Sequence, residues 1–247
     1  MKQLAALLQF TTIFPLGKPV DFDNFAKHSW IYPIAGYVTG AVCMIPSLLA
    51  YYLNFSNSAV IAAVTIALAV FISGANHFDG LLDFGDGLMA HGSREKRIGA
   101  MTDRTTGAGA LALGIMVVLI SFASLASLPV LWIGVAVFFA EILGKTSMGL
   151  FSALGKPFHE GIQKYIYDLS KRRFCVYTLL LTVPLFILLQ VRIYAVASVI
   201  ALLITFAVLL FTAKKLFGGV NGDVTGASNE IVKMVVFVVF ACLASAC

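Results

Sequence analysis

Four stretches of this chain, 29–78, 105–140, 174–191 and 193–213, contain no Asp, Glu, Lys or Arg. A water-soluble globule cannot hide runs of that length and still cover its surface. Charged residues make up 12% of the 247 and hydrophobic ones 60%, where a soluble domain carries roughly 25% charged. A cytosolic enzyme, a nucleic-acid-binding module and a disordered regulator are thereby excluded. The bilayer is the solvent in which so much apolar surface needs no water. Spanning β-barrels alternate apolar and polar residues in short segments. Unbroken runs predict an all-α, polytopic membrane bundle instead.

Spans need roughly 20 apolar residues each. Seven are read, at 30–53, 58–75, 107–127, 129–144, 174–191, 193–213 and 234–247. The third and fourth can also be one unit bent at Pro129, and the last is short. Residues 1–16 are apolar but too short to span and meet Pro15, with no small-residue cleavage site after them. They read as an interfacial helix rather than a signal peptide. The whole chain, 1–247, reads as one membrane domain, with 1–29 as an N-terminal cytoplasmic or interfacial segment.

With this layout every one of the 17 Lys and Arg residues except Arg192 falls on one side, in segments 1–29, 76–106, 145–173 and 214–233. The positive-inside rule makes those segments cytoplasmic loops of the cell membrane, with the N-terminus inside and the C-terminus outside. The acids share that side, apart from Glu141 near the cytoplasmic end of its span. The chemistry is expected at the cytoplasmic face. No span so drawn has a charge at its centre, which weighs against a carrier. Cys43, Cys175, Cys242 and Cys247 form no CxxC pair and read as small buried hydrophobes.

The stretch 76–87, NHFDGLLDFGDG, is the most informative. Asp79, Asp83 and Asp86 stand at i, i+4 and i+7, within about 60° of one another on a helix. Like charges at that spacing repel, and the interspersed glycines weaken the helix. Such a row calls for a compensating cation, and hard Mg²⁺ binds through carboxylates while keeping water and phosphates in its shell. The alternative, a solvated acidic face, sits poorly with apolar neighbours Phe78, Leu81, Leu82 and Phe84. His77 lies across the helix from the row.

Two more polar, glycine-bearing clusters follow. In 101–109, Asp103 is a further ligand, a general base or a helix cap, and Arg104 can hold a phosphate bidentately. In 218–230, glycines such as Gly219 permit close backbone approach, and Asn221 and Asp223 offer polar contacts; a plain turn is the alternative. Carboxylates, Mg²⁺ and Lys/Arg together suit pyrophosphate or phosphodiester chemistry. The roles expected are Asp103 as base with His77 next in line, Arg104 and Lys145 on the pyrophosphate, and Asn221 with Asp223 on the nucleotide or the acceptor. Asn76, Glu160 and Gly219 complete the set expected to touch substrate. A base apart from the metal is favoured, because metal ligation holds a carboxylate's pKa low.

The HxDGxxDxxDG run at 77–87, the DRTTGAG run at 103–109 and the GGxxGDxxGA run at 218–227 resemble the cobalamin synthase family. The likeness extends to Phe10-Thr11-Thr12 and to the His159-Glu160-Gly161 loop. Ile13-Phe14-Pro15 stands where that family often has Arg-Leu-Pro, and Lys145 lies where an Arg is expected. The resemblance implies an adenosylcobinamide-GDP ribazoletransferase. It would join adenosylcobinamide-GDP to α-ribazole, or to its 5′-phosphate, with Mg²⁺ and release of GMP. Neither the preferred acceptor nor a homo-oligomeric state is decided, and no nucleic acid is expected as partner. One rival is a CDP-alcohol-type phospholipid synthase, which should carry DGxxAR where Leu81-Leu82-Asp83 follows Gly80. The other is a membrane transporter using the Asp row as its site.

Overall fold

The computed structural model describes residues 2–14, 16–187 and 191–245. All regular structure among them is helical, apart from one isolated bridge between Pro157 and Val220. The N-terminal helix α1 (Lys2–Thr11) and the short α2 (Asp23–Ala26) precede a first spanning unit, α3 (Tyr32–Cys43) and α4 (Ile45–Tyr52), stepped at Met44 before Pro46. Then come α5 (Ser58–Ile72), α6 (Asn76–Met89), α7 (Arg94–Met101), α8 (Ala108–Ala126) and α9 (Val130–Leu154). The chain continues through α10 (Ile162–Leu169), α11 (Phe174–Leu180), α12 (Arg192–Phe217) and α13 (Gly222–Ala244).

Among the described residues five units are long and apolar enough to cross a membrane: 29–52, 108–126, 130–154, 192–217 and 222–244. A sixth is counted if α5 and α6, bent by 93°, form one broken span. The count of seven read from the sequence is not confirmed. The expected span 174–191 holds only a short apolar helix over 174–186. Its residues 188–190 lie outside the described residues, as do Pro15 and the tail 246–247, with Cys247. The third and fourth expected spans are separate helices, α8 and α9, parted at Pro129.

The interior is organised around α9, which packs along α3 on one side and α13 on the other. Gly36 of α3 allows this, since a Cβ there would sit 2.5 Å from the Ile142 Cα. A main core joins α5, α8, α9, α12 and α13 through Ile61, Leu125, Phe139, Leu202 and Phe240. A second, through Leu81, Phe84, Phe151, Phe217 and Val224, lies under α6. A third seats α1 on Phe25, Tyr32 and Ala35, so α1 is a docked short helix and not a span. Outward-facing Phe71, Leu111, Ile115, Ile204 and Phe211 remain exposed, as suits lipid-facing positions. Cys43 is buried, Cys175 half-buried and Cys242 exposed, all free thiols.

Two boundaries differ from the sequence reading for one physical reason. Segment 145–154 is helix rather than loop, and 214–233 is helix except for the turn 218–221. Four charged residues therefore lie inside spans: Glu141 and Lys145 on α9, Glu230 and Lys233 on α13, none more than 6% exposed. Lys233 Nζ lies 3.1 Å from a Glu141 oxygen and 2.9 Å from a Glu230 oxygen. Thr39 of α3 donates to Glu141 (2.8 Å), Asn229 Nδ2 donates to Glu230 (2.8 Å), and Lys145 Nζ donates to Asn229 Oδ1 (3.0 Å). The expectation that no span carries a charge near its centre is thus overturned. Two acids and two lysines neutralise one another across the α9–α13 seam, which is how ionisable groups are tolerated in lipid.

Candidate functional site

The acidic row lies on α6, immediately after the bend. Gly74 and Ala75 both take left-handed backbone, with φ of 61° and 59°. Glycine adopts that conformation freely, whereas an L-residue such as Ala75 is strained by about 1–2 kcal/mol. The bend is held from outside: Ile13 N–H donates to the Ile72 carbonyl at 2.8 Å. Beyond it α6 is amphipathic as its pattern dictates. His77, Leu81 and Phe84 are buried, Asn76 and Asp79 are exposed, and Asp83 and Asp86 are half-buried.

The glycines of the row bring two other helices against it. A Cβ on Gly80 would lie 3.0–3.1 Å from the backbone of Asp223 on α13, and one on Gly85 would lie 2.8 Å from the Gly109 carbonyl on α8. The Asp223 turn thus sits beside the N-terminal half of α6, and the 103–109 segment beside its C-terminal half. Asp83 experiences the like charges of Asp223, Asp79 and Asp86. Among the described residues no lysine, arginine or histidine forms an ion pair with any of these four carboxylates.

The members of the row are not equivalent. Asp86 accepts from Gly107 N–H and Ala110 N–H, both at 2.8 Å. It therefore caps α8, a helix whose own N-terminus offers no capping side chain. Asp103 is exposed, and its carboxylate accepts from Thr105 N–H at 3.1 Å. That backbone hydrogen bond holds its carboxyl below the usual carboxylate range. Asp86 and Asp103 line one open cleft of about 540 Å³, with Gly107 and Gly109 on its floor. Arg104 is exposed beside it.

The remaining sequence candidates divide between face and interior. Asn221 is buried, accepts from Val224 N–H (3.0 Å) to cap α13, and donates from Nδ2 to Asp223 at 2.6 Å. Gly219 is pressed onto loop 155–161, where a Cβ would meet the Lys156 carbonyl at 2.5 Å. The Glu160 side chain is 89% exposed. Lys145, read from the sequence as a phosphate contact, lies instead inside the bundle, 1% exposed and bonded to Asn229. His77 is 5% exposed, its Nδ1 has no hydrogen-bond partner, and its backbone packs on Gly226 of α13. Sequence reading left His159, exposed on the loop pressed against Gly219, without a role. It also missed the Glu141–Lys233–Glu230 pairing, although opposite charges at i+3 and i+4 on two helices were there to be seen.

Carboxylates without basic partners are the donor chemistry a hard divalent cation requires. Among the described residues no three His, Cys, Asp or Glu side chains converge closely enough to hold an ion by themselves. Mg²⁺ does not ask for that, since it commonly takes one or two carboxylates and completes its shell with water and substrate phosphates. The residues present fit such an ion.

The fold and this face define an all-helical, multi-pass membrane protein with a carboxylate-lined, glycine-built site. Residues 3–241 match the family model described as cobalamin-5-phosphate synthase, and the chain belongs to that family. Curated relatives named adenosylcobinamide-GDP ribazoletransferase include that of Methanococcoides burtonii, 31% identical over 93% of this chain and 88% of its own. The Pyrococcus furiosus protein of that name is 33% identical over 92% of this chain and 94% of its own, and the Thermococcus kodakarensis one 32% over 95% and 96%. No solved structure matches the chain.

Proposed function

We propose that this chain is an Mg²⁺-dependent ribazoletransferase of the cell membrane. It joins adenosylcobinamide-GDP to α-ribazole, or to α-ribazole 5′-phosphate, and releases GMP. The observation that carries the reading is the carboxylate row of α6, without an ion-pair partner among the described residues and joined at Gly80 to the Asp223 turn, in a chain of the cobalamin-5-phosphate synthase family. Asp79 and Asp83, with Asp223 beside them, would hold the metal. Bound there, Mg²⁺ would offset charge on the bridging phosphates and polarise the phosphorus under attack.

The chain's own groups supply the rest. The acceptor hydroxyl oxygen forms a bond to the phosphorus next to the aminopropanol arm, the bond from that phosphorus to the bridging oxygen breaks, and GMP departs with that oxygen. The hydroxyl proton passes to Asp103, which lies outside the metal set and is kept ionised by the Thr105 amide. A base so weakened contributes modestly, at the lower end of the usual range or below. Exposed Arg104 neutralises non-bridging oxygens. Asp86 acts indirectly by fixing α8 and the 107–110 backbone. His77, enclosed between α6 and α13, is given no role at the phosphate. The clustering of Lys and Arg outside the membrane supports a cytoplasmic position for this face.

GMP release from adenosylcobinamide-GDP by purified protein, with and without α-ribazole and Mg²⁺, tests the reading. Release that needs both is the expected result. Flux of substrate into proteoliposomes with no GMP release would replace the enzyme with a transporter.

A further inference from the structure

The turn 218–221 does not stand free beside the acidic row; it is stitched to loop 155–161. Val220 N–H donates to the Lys156 carbonyl at 2.9 Å, Phe158 N–H to the Val220 carbonyl at 3.4 Å. Thr225 one turn into α13 adds a bond to Gln163 of α10 at 3.2 Å. The seam thereby joins the loop that carries His159 to the turn that leads into Asp223. The Asp223 turn, which meets the acidic row at Gly80, is thus joined to the loop that lines a second feature, an open cavity of about 270 Å³ between loop 155–161 and α10.

The walls of that cavity differ chemically from the row. Lys156 and Lys164 supply cations, His159 an imidazole, Phe158 and Tyr167 rings, and Glu160 and Asp168 carboxylates. Lys164 is held by Asp168 at 2.5 Å and by Glu160 at 4.0 Å. Lys156 is exposed and has no carboxylate partner among the described residues. Phe158 is fixed in place, its ring edge-on to His159 with centroids 4.5 Å apart and backed by Phe217 at 6.5 Å. A leaving group that carries away negative charge needs cations that are not carboxylate-bound. A cavity with a free lysine and a histidine on one side and aromatic faces on the other suits a phosphate joined to a planar base. Its size approaches the roughly 300 Å³ at which small-ligand sites begin.

We infer that this cavity is a nucleoside 5′-monophosphate site for the leaving nucleotide. The phosphate lies at Lys156 and His159, and the base lies against Phe158 and Tyr167. The inference rests on the proposed transfer reaction for the choice of nucleotide, and on the cavity alone for the class of ligand.

Binding of GMP, guanosine and inorganic phosphate to the purified full-length protein in detergent tests it directly. GMP should bind saturably and more tightly than either fragment. Lys156→Gln should weaken GMP about tenfold, as expected for loss of a charge-assisted contact, and leave guanosine unchanged. His159→Gln should act in the same direction, and Tyr167→Leu should weaken GMP and guanosine together. Lys171→Gln, an exposed lysine away from the cavity, should change nothing. Wild-type GMP affinity in both Lys156→Gln and His159→Gln would overturn the site, as would inorganic phosphate binding as tightly as GMP. GMP release by the wild-type protein, measured in parallel, separates the two ideas. Turnover with Lys156-independent GMP binding removes the site and keeps the reaction; Lys156-dependent binding without turnover does the reverse.

Discussion

Two groups of charges, about equal in number, sit at opposite levels of this bundle and obey opposite rules. Inside, Glu141, Lys145, Glu230 and Lys233 are almost wholly buried, and their opposite charges are matched across the α9–α13 seam. At the face, Asp79, Asp83 and Asp223 are of one sign, partly open to solvent and without a basic partner among the described residues. The first arrangement is complete within the protein. The second has no such match among the described residues, and that difference is why a cation is proposed there and not in the interior.

Removing single members should break the two groups in different ways. Asp83→Asn should lower turnover by about three orders of magnitude with an unchanged melting temperature, because the lost charge serves the bound phosphates and not the fold. GMP-release kinetics and a detergent melt read both quantities, and near-normal turnover at low Mg²⁺ would erase the distinction. Lys233→Met should destabilise by about 3–5 kcal/mol, since two buried carboxylates lose their cation. Adding Glu230→Gln to Lys233→Met should recover part of that stability, and a double-mutant cycle on melts would show it.

Packing at the face gives a smaller effect. Gly85→Ala would push α6 off the Gly109 carbonyl and should cost about 1–3 kcal/mol, with turnover falling because the row moves relative to α8. Asp103→Asn should have the mildest consequence, less than about a tenfold fall in turnover. Its carboxyl is held below 3.8 in the folded protein by the Thr105 amide. The stability tied to that charge is therefore present at any pH above the ordinary value and is lost only as pH falls through the depressed one. Asp103 stays ionised through the neutral and mildly acidic range, so an acid limb at about pH 5–7 should not move in Asp103→Asn. A limb that shifts would make Asp103 the dominant base.

Apolar runs alone were enough to announce an all-helical membrane bundle, and the i, i+4, i+7 spacing was enough to put Asp79, Asp83 and Asp86 on one face of α6. Reading failed where residues answer to partners far away in the chain. Treated singly, Lys145 and Lys233 look like span boundaries, and so α9 was cut at 144 and α13 was started at 234. Paired with Asn229 and with Glu141 and Glu230, they are interior residues of helices running to Leu154 and from Gly222. Asp86 has the pattern of its row, yet the amides that occupy it belong to residues 107 and 110. No local spacing encodes that α8 borrows its cap from α6. Conversely, Gly80 and Gly85 were visible as helix-weakening residues, and the structure shows their use in admitting α13 and α8.

The pairing of two acids with two lysines inside the spans also bears on energetics beyond folding. Each unbalanced elementary charge carried across a membrane is worth about 2.3 kcal/mol per 100 mV of potential. A quartet of zero net formal charge gives the transmembrane voltage no handle by which to pull α13 along α9. The carboxylates of the proposed site are mounted on that same α13–α6 unit. Their spacing is therefore insulated from the electrical state of the membrane, and the reaction at the face should run alike in energised and de-energised vesicles.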